Sequence, residues 1–437
     1  EKSQKQEPSS EEELCIQSTY NFFRSRLEEK KLKVFMAQNC EGFRDDVSQV
    51  DILKGIRDQI LNCIFVSIST DDKKQAYRIF EILNAKGKRL AAIDLIKNRL
   101  FEKLTATEPA DYAKYKWDEM KHIINECDVS SVGIGTYYRH FWNSCYKQTG
   151  ASQLYDRFLS MVKKSEYEAF LESLVQNAKL YVQIIKPARE HYGNRKEYFW
   201  LVQSFKVLTE FLGVAQVRIV LMALLSVKDR GLVTMKDFKE AILFLENFHF
   251  AYTAIMSGKA NKLDAIYSRF AISLRKTNSK NQSKELIKTK LYESLAPLIP
   301  SVEQFTDKFI NLCFTKESIF SNTKCKYALM KLNCYFQMKE IFEDDASVEH
   351  IVPESAEGDV TNIGNLIMLE GRLNDEAGKA PYNSKKDSYK KSAYAWVNQF
   401  VKQHPAWNID GIHDRAKRLA SLYYREILHY DKVYIKL

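Results

Sequence analysis

Glycine and proline are scarce, 15 and 8 in 437 residues, so little interrupts long stretches of helical spacing. The eight cysteines, at positions 15, 40, 63, 127, 145, 313, 325 and 334, form no Cys-x-x-Cys pair. Zinc-ribbon and thioredoxin-type chemistry therefore have no foothold, and mostly buried, reduced thiols are expected. No apolar run approaches the roughly 20 residues of a membrane helix. Nor does a pattern of basic, apolar and small residues open the chain as a signal peptide would. A cytoplasmic protein with no membrane partner is expected. No solenoid-type repeat is visible.

What the chain does contain is 45% apolar and 28% charged residues, the balance of a soluble globular protein. Its length suits two or three domains. The opening EKSQKQEPSSEE is polar and aperiodic and reads as a frayed start. YNFFRSRLEEKKLKVFM, FLESLVQNAKLYVQII, FLGVAQVRIVLMALLSV and FKEAILFLENFHFAYTAI carry apolar residues every three or four positions and read as helices. One strand is expected over Asn62 to Thr70, where β-branched and aromatic residues cluster. Lys74 to Leu100 reads as a helical hairpin turning at Asn84-Ala85-Lys86-Gly87, with Asp94 near the second helix start. A loop is expected over 128–135. Breaks near Thr105–Ala110 and Phe342–Ala346 divide the chain into regions 1–105, 106–341 and 342–437.

The net charge of +10 is uneven. Between Ala251 and Tyr335 stand fourteen Lys or Arg against six Asp or Glu, whereas from Phe336 onward there are fourteen against sixteen. Any grip on nucleic acid should come mainly from the basic 251–335 stretch.

Chemistry concentrates in Ser347 to Asn374, which contains SVEHIVPE and NIGNLIMLEGRLN. A one-metal phosphodiesterase needs a base for water, a divalent cation on the phosphate and leaving oxygen, and a frame for both. Ser347 to Ile351 can form a short strand with His350 on one side and Glu349 on the other. The Gly364 turn leads into a second strand, and a following helix carries Asn374. In this ββα-metal (HNH, or His-Me finger) layout His350 is the general base. Glu349 and Asn374 are oxygen ligands for Mg²⁺, or another divalent cation such as Mn²⁺. Asn365 braces the loop that orients His350, and Lys379, Lys385 and Lys386 are placed to meet the DNA backbone. The fold class expected is mainly α, with helical N-terminal and middle regions and this C-terminal module.

The same residues resemble the GmrD-type HNH nuclease domain of GmrSD restriction endonucleases. EHIVP, IGNLIML, Asn374 and the trailing APYNSKKDSYKKS carry the likeness, with Trp396 and Arg415, over about residues 345–430. AYRIFEILNAKGKRLAAIDLIKNRLF is similar to the end of the family's GmrS-type N-terminal domain. The resemblance implies a Mg²⁺-dependent DNA endonuclease acting in defence against foreign or modified DNA, with a homo-oligomer possible in principle. The family's GmrS part is a ParB-like nucleotidase, but its upstream Asp-Gly-Gln-Gln-Arg motif does not occur here. Nucleotide use is therefore expected only through an N-terminal part missing from this chain. Glu349 stands where Asp is common. A non-catalytic helical DNA-binding or assembly subunit with a degenerate HNH fold is the alternative.

Overall fold

The computed structural model describes residues 11–430 apart from 41–42, 45, 65–66, 68, 70–91, 105–110, 128, 130–131 and 316–318. It is mainly α, as expected, and divides into two compact units, 1–72 and 73–437.

The first unit holds helices α1 (Glu11–Arg26), α2 (Glu29–Asn39) and α3 (Gln49–Leu61). The periodic stretch from residue 20 to 36 is thus two helices, not one. Ser48 caps α3 by accepting a hydrogen bond from the Asp51 amide at 3.2 Å, satisfying one of the donors that every helix start leaves open. Asn62 ends α3. Of the strand expected over 62–70, residues 65, 66, 68 and 70 lie outside the described residues and the other five form no strand, while the Asn84–Gly87 turn lies entirely outside them.

In the second unit, α4 (Ala92–Leu104), with Asp94 in its first turn, precedes α5 (Tyr112–Asn125), α6 (Ile134–Cys145) and α7 (Tyr167–Ile185). The loop expected to reach residue 135 gives way to helix at Ile134. Helix α8 (Val217–Asp229) is apolar on all sides and accordingly lies in the centre, every residue from Val217 to Leu225 being buried. Helices α6, α7 and α10 (Asn261–Arg275) surround it. The periodicity from residue 211 predicts a longer helix. The chain instead ends a π-helical turn at Phe211 and passes through Gly213, whose φ of +61° is left-handed and interrupts the spiral. Helix α9 (Met235–His249) starts on a Thr234 cap and runs into a second π-helical turn at Phe250–Ile255.

Two histidines are sealed in this core. His140 bonds the Tyr181 hydroxyl at 2.7 Å, and His249 bonds Thr253 and Tyr267 at 2.9 and 2.7 Å. Burial lowers both to about 3, with Arg218 and Arg139 adding to the effect at His140. The unfolded chain, in which imidazoles take protons near 6.5, binds more protons below that pH than the folded chain does. Stability present above pH 6.5 is therefore lost as pH falls toward 3, by up to about 1.4 kcal/mol per pH unit for each histidine. Urea midpoints measured from pH 7 to 4 should fall, and His249→Gln should shallow that slope.

After α11 (Val302–Phe309), whose start is closed by a Ser301–Gln304 capping box, comes α12 (Ile319–Gln337). Strands β1 (Ala346–His350) and β2 (Leu366–Glu370) then form an antiparallel pair, followed by α13 (Gly371–Ala377), α14 (Tyr382–Lys390), α15 (Ala395–Gln403) and α16 (Ile412–Leu422). One hydrophobic core runs from Ile93 to Tyr430; rings of Phe250, Phe305 and Tyr423 join the middle helices to the C-terminal ones. Among the described residues no helix is long and apolar enough to cross a membrane. All eight cysteines are free; Cys127, Cys325 and Cys334 are buried, but Cys15, Cys40 and Cys63 are exposed, against the expectation of mostly buried thiols.

Candidate active site

The two strands fix where the motif residues point. Register pairs Ala346 with Glu370 and His350 with Leu366, so β1 is held along its whole length. Residues Leu366 to Leu369 are all buried, as a strand covered on both faces requires. Helices α12, α13 and α15 supply that cover. Side chains alternate across a strand, which puts Ser347 and Glu349 on one side of β1 and His350 on the other.

The loop between the strands is held by its own amides. Asn365, fully buried, accepts from the Val352 amide at 2.9 Å and donates to the carbonyls of Val352 and Val360 at 2.8 and 2.7 Å. One side chain thereby ties the end of the loop to its beginning, immediately beyond His350. Asn362 accepts from the Gly364 amide and donates to the Ile310 carbonyl, both at 2.8 Å. Arg415 on α16, also buried, donates to the carbonyls of Gly364 and Leu366 at 2.7 and 2.9 Å. Gly364 is dictated by this closeness, since a Cβ there would lie 1.9 Å from the Ile412 carbonyl oxygen. Gly364→Ala should push α16 off the turn and cost about 1–3 kcal/mol, an overpacking penalty readable as a lower Tm.

His350 is half-buried, and its Nε2 lies 3.0 Å from the Phe314 carbonyl. A carbonyl oxygen only accepts, so Nε2 carries the proton and Nδ1 keeps the lone pair. Phe314 is delivered by a short strand-like contact: its amide bonds the Thr361 carbonyl at 2.9 Å, the Ile363 amide bonds the Leu312 carbonyl at 2.8 Å, and Cys313 bridges Asn362. No residue pattern in Ser347–Asn374 announces this partner, which is a backbone atom 36 residues upstream of the histidine.

Glu349 is buried and already partnered. Its Oε1 accepts from Lys385 Nζ and from the Tyr389 hydroxyl, both at 2.7 Å, and Lys385 Nζ also donates to the His350 carbonyl at 2.6 Å. Burial, and then the Glu349 charge, push the Tyr389 hydroxyl well above its usual range, so it stays a donor. Asn374 reaches the same side of β1 from α13, donating from Nδ2 to Ser347 Oγ at 2.8 Å and to the Val348 carbonyl at 3.1 Å. Among the described residues, nothing donates to Glu349 Oε2 or to Asn374 Oδ1.

The lysines are where expectation and structure part. Lys385, expected at a phosphate, is 1% exposed, and its ammonium is spent on Glu349 and the His350 carbonyl. Lys386 is half-buried, lies over the Tyr382 ring and donates to the Pro405 carbonyl. Lys379, just past α13, is exposed.

Comparison with known families matches both ends of the chain. The domain described as GmrSD restriction endonucleases, C-terminal domain, covers residues 299–422, and GmrSD restriction endonuclease, N-terminal domain, covers residues 1–101. The C-terminal match opens just ahead of α11 and so takes in Phe314 as well as both strands. Among curated proteins none matches the chain. Domains of one enzyme family at both ends, in the order their names give, place this chain in the GmrSD restriction endonuclease family.

Proposed function

We propose that the chain cleaves DNA as an HNH-type endonuclease in defence against foreign or modified DNA, hydrolysing phosphodiester bonds with His350 as general base. The observation that carries this reading is the Nε2 contact with the Phe314 carbonyl, which leaves Nδ1 ready to take a proton from water. Asn365 supports the base by closing the loop that follows it. Lys379 is the motif lysine free to meet a backbone phosphate. Farther off, Lys280, Lys284 and Lys288 recur every fourth residue, are exposed and take no ion pair among the described residues. Such a row suits the phosphate backbone and belongs to the basic stretch ahead of the motif.

A hard divalent cation fits the donor types on the Ser347 side of β1: Glu349 Oε2 and Asn374 Oδ1 are oxygen donors that receive no hydrogen bond among the described residues. Mg²⁺ held there would supply positive charge to the phosphate and the leaving oxygen. Lys385 opposes it electrostatically, because one unit of positive charge already sits on the same carboxylate. That ion pair is also the observation that favours the second reading, a DNA-binding subunit whose HNH fold is degenerate. Plasmid incubated with the protein and Mg²⁺ separates the two. Cleavage that stops with EDTA is the expected result; retention of plasmid without cutting under any divalent cation would favour the binding subunit.

A further inference from the structure

Beside the candidate active site, between α12, α15 and α16, lies a cavity of about 470 Å³. Its walls are aromatic: Phe336 stacks on Trp396 with ring centroids 5.4 Å apart and planes 12° from parallel, and Phe400 also lines it. Its charge is of one sign, since the lining includes Arg415 and Arg418 and no carboxylate. Arg418 is exposed and takes no ion pair among the described residues, so its charge is free to meet a ligand. Gln399, also exposed, adds an amide that both donates and accepts.

The second observation is Arg415 itself. It is 4% exposed, and while Nη1 holds the Gly364 and Leu366 carbonyls, Nη2 has no hydrogen-bond partner among the described residues. Rings of Phe400 and Trp396 stand 4.9 and 5.5 Å from its central carbon, which stabilises the charge but gives Nη2 no lone pair to bond. A buried guanidinium hydrogen without an acceptor costs about 1–3 kcal/mol, a cost that the fold carries at this position.

We propose that this cavity binds a nucleotide, its base against the Phe336–Trp396 wall and its phosphate at Arg418. A flat ring and a negative charge on one ligand answer the aromatic wall and the exposed Arg418 guanidinium together. The nucleotide could come free from solution or from an unpaired position of a DNA strand, and both share this chemistry. Arg415 gives the site a route to the motif, because its Nη1 clamps the two carbonyls flanking Asn365, and Leu366 pairs with His350 on the β-ladder. Binding in the cavity does not depend on the chain being a nuclease, and it is read without any cleavage.

Two probes test it on the whole chain: deoxyadenosine monophosphate, and a ten-nucleotide single-stranded DNA, each titrated by calorimetry. Saturable binding of at least one is expected, with Arg418→Glu weakening it about ten-fold or more while Tm stays unchanged. If the source is a strand, the oligonucleotide binds more tightly than the monophosphate, and Gln399→Trp, which narrows the mouth, weakens it further. If the source is free, the monophosphate binds and the oligonucleotide does not compete with it at this site. Absence of saturable binding by both probes would overturn the proposal, as would equal affinity of wild type and Arg418→Glu.

Discussion

Replacing His350 by alanine should lower Mg²⁺-dependent plasmid cleavage by about 10²–10⁴-fold, the usual contribution of a positioned base. Fold and DNA retention should survive, because the side chain is half-buried and makes one hydrogen bond, to the Phe314 carbonyl. Losing such a bond costs about 1 kcal/mol, well below the stability of an ordinary domain. A large kinetic effect on an intact fold is therefore the signature to seek, with thermal melting and DNA retention measured on the same preparation. Added imidazole should restore part of the rate if the missing function is proton transfer. Cleavage by His350→Ala at the wild-type rate would remove His350 from the mechanism and leave the binding-subunit reading in its place.

The strand alternation that separates Glu349 from His350 was legible from five residues, because a period of two needs no tertiary information. Asn365 was legible for a similar reason: an amide in a Gly-Asn-Leu turn has backbone groups within reach whatever surrounds it. The Phe314 carbonyl was not, since a backbone acceptor leaves no trace in residue identity and this one arrives from 36 positions upstream. Lys385 is the instructive error. Two adjacent lysines just after the motif are expected to meet the DNA backbone, yet Tyr382, Lys385 and Tyr389 stand at three- and four-residue spacing and all three are buried. The two tyrosines marked the inner face of α14, and Lys385 lies on it. At Gly213, too, the signal was present, since a left-handed glycine stops a helix that apolar spacing alone would extend.

The largest stability effect should come from that buried lysine. Lys385→Met leaves Glu349 in a site 4% exposed, with the Tyr389 hydroxyl as its remaining partner on Oε1. Breaking a buried pair from one side costs about 3–5 kcal/mol, because a charge is left without its counterion. Removing both charges, as Lys385→Met with Glu349→Gln, should recover most of that loss, since paired burial against neutral packing is close to balanced. The four proteins form a double-mutant cycle, and a coupling below about 0.5 kcal/mol would show that the pair is not what holds β1 to α14. The same variant also interrogates the metal. With the ammonium gone, a divalent cation that uses Glu349 gains relief from a like charge. Mn²⁺ at about 100 times its dissociation constant should then restore about 2.7 kcal/mol to Lys385→Met, and restore nothing to the double variant. If Mn²⁺ moves the melting temperature of neither, Glu349 is a structural partner of Lys385 and not a metal ligand, whatever the role of His350 proves to be.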